Sequence, residues 1–525
     1  MSSPRVAVVG GSVGGLSAAI LLARRGHRVV VLERDASPTP DNVDDAGAWR
    51  RRATPQAAHS HAFLARSRAI LAAEAPDVLD AMIGAGVRQT VLADDRPRAG
   101  AGCNGDLGGE EADPRDANPR EANPGDSDAA DAELVVLNAR RSVFEWVLRR
   151  AAEREPGVEM RLGVTVTAVD THRNGSLRVT GVATDAGLVP ADVVVDAGGK
   201  RSPVRGWFVG DRARAGADRA GADRAGAADR AGAGDRAGAG DEAGDREVSC
   251  GISYLTRFYR LRGPEPGRLN RGFTHGASFD SYSCLVFPAD NGAFSITFGV
   301  LPEDRDMRAL RDPAAFAAAA AAIPAIAPWV DPEVSVPTSD VALMASLSNL
   351  LRAPIADAPL GLHSIGDARC VTNPAHTRGT TLALVGAQRL ADIVTDHAGD
   401  PVAQADAMEA FTACELAAWV EDSVAQDRAR LTRWRKGEAP PEPRWVTAVS
   451  NGEASVAAQC DGEAWRAFTR LQNALALPGQ VLDDSALEAA VARVNRSGWR
   501  PPAMEAPDRN ELAAIARSAA GAAGS

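Results

Sequence analysis

RVAVVGGSVGGLSAAILLARRGHRVVVLERD, residues 5–35, is the stretch whose reading decides the fold. Val6, Ala7, Val8 and Val9 form a short apolar run that ends in a glycine cluster, and Leu16 to Arg25 then recurs at helical spacing. The pattern predicts strand, tight turn and helix. A turn at Gly26-His27 leads into a second apolar strand, Val29 to Leu32, with Glu33 at its end. Two strands joined by one helix of this length make a βαβ unit, whose strands run parallel.

The turn Gly10-Gly11-Ser12-Val13-Gly14-Gly15 has dinucleotide-binding spacing, with Gly10 and Gly15 in the outer places and Ser12 where the second glycine usually stands. Small residues there let backbone approach a diphosphate, whose charge meets free N–H groups at the positive end of the following helix. Glu33 lies about twenty residues on, where a carboxylate accepts from a ribose 2′-hydroxyl and disfavours a 2′-phosphate. The site therefore suits FAD or NAD rather than NADP. Gly100-Ala-Gly102-Cys-Asn-Gly105 and the run at Gly232-Ala-Gly234 fit or nearly fit the same pattern, but neither follows an apolar strand.

Composition narrows the class. The 525-residue chain can hold more than one core, and its net charge of −11 offers no basic face for nucleic acid. Lys200 and Lys436 are the only lysines. Cys103, Cys250, Cys284, Cys370, Cys414 and Cys460 are scattered without a CxxC pair, which fits reduced thiols better than a disulfide frame or zinc site. The most apolar run, Ala314 to Val330, is broken by Pro324 and Pro328, so no stable membrane span is expected. The first strand leaves no room for a signal peptide, so a cytoplasmic protein is expected.

Past the βαβ unit comes Pro55-Gln56-Ala-Ala-His59-Ser-His61, then a helix from Ala65 to about Glu74. His59 and His61 share a side if this piece is extended. No third ligand stands nearby, so a loop lining a site is the better reading than a metal centre. From Arg96 to Asp131 the composition turns to Gly, Pro, Asp, Asn and Arg, a disordered insertion by the entropy argument. A strand at Leu134 to Leu137 and a helix from Arg141 to Ala152 follow, then Val158 to Val169 and Ser176 to Thr184 as strands of a small antiparallel element. Val193 to Asp196 is a second buried strand, ending in an acid and the pair Gly198-Gly199. The DRAGA-like repeats from Asp211 to about Glu247 read as a solvated tether. In the β-rich segment that follows, Leu285 to Phe287 and Phe294 to Phe298 flank an Asn291-Gly292 turn and predict a hairpin. Phe294, Ile296 and Phe298 share one face and read as sheet core. Gly361 to Ile365 is a short strand, a helix runs from about Thr380 to Thr395, and Val402 to Arg435 forms one long amphipathic helix or two. Trp434, Trp445 and Trp465 are packing residues by default, with a pocket mouth as the alternative.

Three separated signals stand in register: the turn with Glu33, the strand end Asp196-Ala-Gly198-Gly199, and Gly366-Asp367-Ala368 followed by Asn373-Pro374 and Arg378-Gly379-Thr380-Thr381. This set resembles the FAD-dependent monooxygenases of the single-component aromatic hydroxylase type. The segment at Gln56, His59 and His61 is similar to the branch carrying PQ-x-x-H-x-H, which includes epoxidases and tailoring oxygenases of secondary metabolism. The resemblance covers about Arg5 to His397, less the two insertions. It implies an α/β fold: a Rossmann-like FAD-binding domain with a parallel sheet, an interleaved β-rich substrate domain and a C-terminal helical region. The FAD-binding domain would comprise 1–96, 133–210 and 351–400. Around it would lie the insertion 97–132, the tether 211–247, the substrate domain 248–350 and the helical region 401–525.

By the same resemblance Gly10, Ser12 and Gly15 would hold the FAD diphosphate, with Glu33 and Arg34 at the adenosine ribose. Arg141 would lie near the diphosphate and ribityl chain, and Val166 would touch adenine through its backbone. Asp196 and Gly198 would line the strand end, Asp367 would bind a ribityl hydroxyl, and the helix beginning near Gly379 would aim its N-terminus at the flavin. His376, Gln56 and His59 are the candidates for the flavin face and the chemistry. NAD(P)H would be a transient reductant, and O₂ and a small hydrophobic organic molecule the substrates. One departure stands out: Thr377 replaces the first glycine of the family's Gly-x-Gly, and a β-branched residue resists positive φ, so the loop is expected to take another path. The rival readings are a flavin-dependent reductase of isoprenoid double bonds, a halogenase, and a flavin-binding protein without turnover. The halogenase's Trp-x-Trp-x-Ile-Pro stretch and active-site lysine have no counterpart here.

Overall fold

The structure is a computed structural model and describes residues 4–51, 54–97, 131–208, 244–435 and 445–523. The expected insertion, apart from its borders, and the expected tether, apart from 244–247, lie outside the described residues. β1 (Arg5–Val9), α1 (Val13–Arg24) and β2 (Arg28–Glu33) form the predicted βαβ unit. β3 (Val158–Leu162) extends it beyond β2, while β4 (Val193–Asp196) and then Leu362–Ser364 add on the other side of β1. All pairings in this five-stranded sheet are parallel. The chain grows outward from β1 through β2 and β3 and then returns to β4. The order therefore reverses between β1 and β4, and such a switch point opens a crevice at the strands' carboxyl ends.

Alternation along these strands explains why they are apolar throughout. Val6, Val8, Val29, Val31, Val193 and Val195 are buried against the helices, whereas Ala7, Leu32 and Val194 are buried against a three-stranded antiparallel sheet on the other face. A parallel sheet covered on both faces needs this composition. That second sheet is Val166–Asn174, Ser176–Thr184 and Gly187–Pro190. The expectation of one antiparallel strand from Val158 to Val169 is corrected: Gly163, at φ +70°, divides it, and its first half joins the parallel sheet.

The β-rich part is a six-stranded antiparallel sheet built on β5 (Ser253–Leu261), β6 (Ser283–Pro288) and β7 (Ala293–Val300). The β6–β7 hairpin forms at the expected Asn291-Gly292 turn, with Asn291 at φ +52°. Phe294, Ile296 and Phe298 are core residues, covered by α2 (Pro313–Ala321) through Phe316 and its buried alanines. A separate three-stranded sheet, Arg246–Ser249, Ser348–Leu351 and Cys370-Val371, joins the two parts. The tether expectation is corrected at its end, since Arg246 and Glu247 pair with Leu351 and Leu350.

α3 (Gly379–Asp396) crosses α1 closely, with Gly14 of α1 facing Ala383 of α3. Pro401–Phe411 and α4 (Ala417–Trp434) are joined by a π-turn at Thr412–Leu416, so the long amphipathic segment is two α-helices without a break. The last helix, α5 (Arg509–Ala523), returns to the six-stranded sheet and packs its Leu512, Ala513 and Ala516 there. The C-terminal region is therefore shared between both sheets. Among the described residues no helix is long and apolar enough to cross a membrane.

Candidate functional site

The glycine turn sits at the switch point, and its glycines are demanded by space. Gly10 has φ +107°, and a Cβ there would lie 2.6 Å from the Ala197 carbonyl oxygen. A Cβ on Gly15 would lie 1.9 Å from the Gly10 carbonyl oxygen. α1 begins just behind, with no side-chain cap among the described residues and no acid in its first turn. Its first N–H groups thus present the positive end of the helix dipole, ready for an anion.

Three buried arginines surround this nest. Arg51 donates to the Gly11 carbonyl at 3.1 Å, lies 2.7 Å from Glu33 Oε2 and pairs with Glu145. Arg141 donates to Ser12 Oγ at 3.0 Å, and Ser12 Oγ donates to Glu145 Oε2 at 2.8 Å. Arg149 lies with Nη1 3.2 Å from where a Gly11 Cβ would be. Arg149 Nη1 and Nη2 are buried without a hydrogen-bond partner among the described residues, whereas Arg51 Nη2 is the atom that faces Glu33 and Arg141 Nε lies 3.6 Å from Glu145 Oε2. Burial lowers the Arg51 and Arg141 pKa values, with Glu33 opposing the shift at Arg51; Arg141 falls to about 10 with Asp367 opposing, so it remains cationic at neutral pH. The spare Arg149 donors beside the uncapped start of α1 fit a diphosphate.

Glu33 is buried at the end of β2, as expected, and already has partners. Its Oε2 accepts from Gly11 N–H at 2.7 Å and its Oε1 from Asp35 N–H at 2.8 Å. Oε2 also faces Arg51 at 2.7 Å, so it is Oε1 that retains a second lone pair for a ribose hydroxyl. Val164 N–H donates to the Glu33 carbonyl at 3.0 Å, which brings the start of the Val166 strand alongside. Arg34 is exposed.

Across the crevice, Asp196 Oδ1 accepts from Gly198 N–H at 3.0 Å and Ser202 Oγ at 2.7 Å. Burial raises its pKa, and these donors oppose the rise. Asp196 thus shapes the turn that Gly198 needs. Asp367 lies in a 3₁₀ turn; burial raises its pKa, while the Arg141 guanidinium holds it down. The structure therefore brings Gly10, Ser12, Gly15, Glu33, Arg141 and Asp367 to one crevice.

The loop before α3 carries Thr377 at φ +53°, in the left-handed region. The expected detour is therefore corrected: the loop takes the glycine-like conformation despite the β-branch. Thr377 N–H donates to the Pro374 carbonyl at 2.9 Å, and a buried network holds the loop from behind. Asn373 donates to Asp427 at 2.5 Å, Tyr254 donates to Asn373 at 2.8 Å, Asn349 donates to Asp427 at 2.8 Å, and Arg378 pairs with Asp422 while lying 4.6 Å from the Trp419 ring centroid. Both acids belong to α4. Gly379 opens α3 with no side-chain cap among the described residues and no acid in the first turn, a second anion-ready helix end. His376 Nε2 is buried without a hydrogen-bond partner among the described residues, and burial lowers its pKa to about 4.

The segment at 55–61 lies on the face of the six-stranded sheet that looks toward this loop. His59 Nδ1 is 3.0 Å from Thr256 Oγ1, Thr256 is 2.8 Å from Thr297, and Ser60 Oγ is 2.7 Å from both Ser295 and Thr297. Burial lowers His59 to about 4 and His61, helped by Arg141, to about 3. His61 Nδ1 is 2.9 Å from the His59 carbonyl, so the two rings are engaged separately. Gln56 is half-buried in the 3₁₀ turn before them. Trp434 donates to the Phe279 carbonyl at 2.9 Å and Trp465 is buried, whereas Trp445 is half exposed.

Sequence reasoning missed Arg51, Arg149, Asp422 and Asp427. Arg141, Glu145 and Arg149 are spaced i, i+4, i+8, a signal that places all three on one helix face. Asp422 and Asp427 carry no such local signal.

A family model described as a NAD(P)-binding Rossmann-like domain matches residues 8–60. No curated protein matches the chain. Among solved structures, PqsL of Pseudomonas aeruginosa, described as a probable FAD-dependent monooxygenase, is 16% identical with a TM-score of 0.51, over 83% of this chain and 99% of its own. The fold is shared. The p-nitrophenol 4-monooxygenase PnpA of Pseudomonas putida is similar at 15% identity and TM-score 0.51, over 94% of this chain and 99% of its own. The myxobacterial chondrochloren halogenase CndH, described as FAD-dependent, is 17% identical with TM-score 0.52, over 99% of this chain and 97% of its own.

Proposed function

We propose that this chain is an FAD-dependent monooxygenase that places one oxygen atom from O₂ on a small hydrophobic organic substrate, by hydroxylation or epoxidation, with NAD(P)H as reductant. The observation that carries the reading is the glycine turn at Gly10–Gly15 with the uncapped start of α1, set beside the buried Arg149 guanidinium, whose Nη1 and Nη2 have no hydrogen-bond partner among the described residues. Gly10, Ser12, Gly15, Arg51, Arg141 and Arg149 would hold the diphosphate, Glu33 the adenosine ribose with Arg34 and Val166 nearby, and Asp367 a ribityl hydroxyl, with Asp196 shaping the Gly198 turn. When bound, FAD supplies hydride acceptance and activation of O₂. The chain's own part is to position it, keep water out and set the local charge. The N-terminus of α3 at Gly379 favours negative charge on the ring edge against it. His376, Gln56 and His59 would line the reacting side; both imidazoles are neutral at pH 7 and act as hydrogen-bond partners rather than cations. The resemblance extends the proposal to a substrate from secondary metabolism and a cytoplasmic site of action.

The neighbours include a halogenase, but Lys200 is tied to Glu247 at 3.0 Å and bonded to Ser348, so it is not a free amine beside the loop. The reductase reading differs in its need for oxygen. Purified protein reconstituted with FAD should show flavin absorbance and quenched flavin fluorescence. It should oxidise NAD(P)H in the presence of a turned-over substrate and give a product heavier by one oxygen atom. Equal turnover under strict anaerobiosis would replace this reading with the reductase, and colourless folded protein would end both.

A further inference from the structure

β5 presents alternate residues to two different places. Tyr254 and Thr256 point to the loop at Asn373 and to His59, so Ser253 and Leu255 point the opposite way. Val300, paired with Ser253, and Leu343, paired with Leu255, share that opposite face. There they line a cavity of about 350 Å³ together with Met307, Arg308 and Arg311. The volume falls in the range of small-molecule sites, about 300–1,000 Å³. Leu255, Val300 and Met307 are buried behind it, and Leu343, 41% exposed, offers apolar surface at the opening.

The charge at this mouth is uncompensated. Asp304, which also lines the cavity, is bound by Arg509 at 2.9 Å, and Asp306 is bound by Arg509 and Arg517. The guanidiniums of Arg308 and Arg311 have no hydrogen bond or ion pair among the described residues, and both side chains are exposed. They stand three apart on the 3₁₀ turn Asp306–Arg311, where i and i+3 side chains eclipse on one side.

We propose that this cavity binds a small amphipathic organic anion, an apolar chain or ring ending in a carboxylate or phosphate, at a site separate from the dinucleotide turn. The apolar body lies on Leu301, Pro302, Leu343 and Leu347, which also line the cavity, and the anionic head lies between Arg308 and Arg311. The assignment does not rest on the flavin reading.

The test titrates the full chain with dodecanoate and with dodecyl phosphate by calorimetry, with dodecanol as the uncharged control. Saturable binding of either anion is expected, weakened about tenfold or more in Arg308→Gln/Arg311→Gln, with dodecanol weaker than the anions. Both arginines are exposed, so the variant should keep its circular dichroism and unfolding midpoint. A diazirine-bearing fatty acid should crosslink within 300–311 or 343–347. The proposal is overturned if neither anion saturates, if dodecanol binds as tightly, if the double variant binds unchanged, or if crosslinks fall instead within 10–61 or 373–379.

Discussion

Arg141 shows how one side chain can serve two ends of a site. Its guanidinium touches Ser12 in the glycine turn and acts electrostatically on Asp367 across the crevice. Arg141→Ala should weaken FAD binding about ten- to a hundredfold, the loss typical of a buried charge-assisted contact. The ratio of visible to ultraviolet absorbance after gel filtration measures it, and unchanged flavin content would remove Arg141 from the site. Thr377 makes a different point. It occupies a left-handed conformation that costs a β-branched residue about 1–2 kcal/mol. Thr377→Gly should raise the urea midpoint by an amount worth about 1 kcal/mol, less what glycine's added freedom in the unfolded chain removes. A lowered midpoint would mean that the Thr377 hydroxyl, which donates to the His376 carbonyl at 2.8 Å, matters more than the strain. From its letter alone the residue pointed away from this conformation, because the hydrogen bonds that hold the loop come from distant residues.

At the scale of elements, the loop before α3 is held by α4. Arg378 and Asp422 are both buried, and the pair is stacked on Trp419 and reached by Asn451 and Gln426. Asp422→Ala leaves a buried cation unpaired and should destabilise the fold by roughly 3–5 kcal/mol, read from denaturant unfolding. Asp422→Asn keeps the shape but not the charge and should lie between. If both variants unfold like wild type, the pair is not what holds the loop. Gly14 makes a related packing claim: its Cβ position lies 3.5 Å from Ala383, so Gly14→Leu should separate α1 from α3 and lower both stability and flavin content. The βαβ unit, the Asn-Gly hairpin and α3 were legible in sequence because each follows from local period and turn chemistry. The α4 anchor was not, because Asp422 and Asp427 lie about fifty residues from Asn373 and Arg378 and meet them only through packing.

For the whole molecule, burial lowers the pKa of five histidines, His27 among them, and these act on the acid limb of stability. Burial lowers His59, His363 and His376 to about 4 and His61 to about 3, from an ordinary value of 6.5. The unfolded chain takes up protons as pH falls below 6.5 while the native protein does not. Stability from these groups is therefore full above 6.5 and is lost progressively down to about pH 4. Asp196 and Asp367, raised by burial, act in the opposite sense, so the comparison of wild type with His363→Gln isolates one histidine. The variant should show a shallower fall in urea midpoint between pH 6.5 and 4; parallel curves would refute the assignment. Read alone, the amino-acid order determined the periodic elements and the glycine turn, since these depend on side-chain alternation, helical spacing and backbone sterics within a few residues. Tertiary structure decided which strands joined which sheet, that Arg51 and Arg149 close around the turn, and that α4 braces the loop before α3. Those are meetings between distant segments, chosen by the burial of whole faces and by the need of each buried charge for a partner, and no local pattern encodes them.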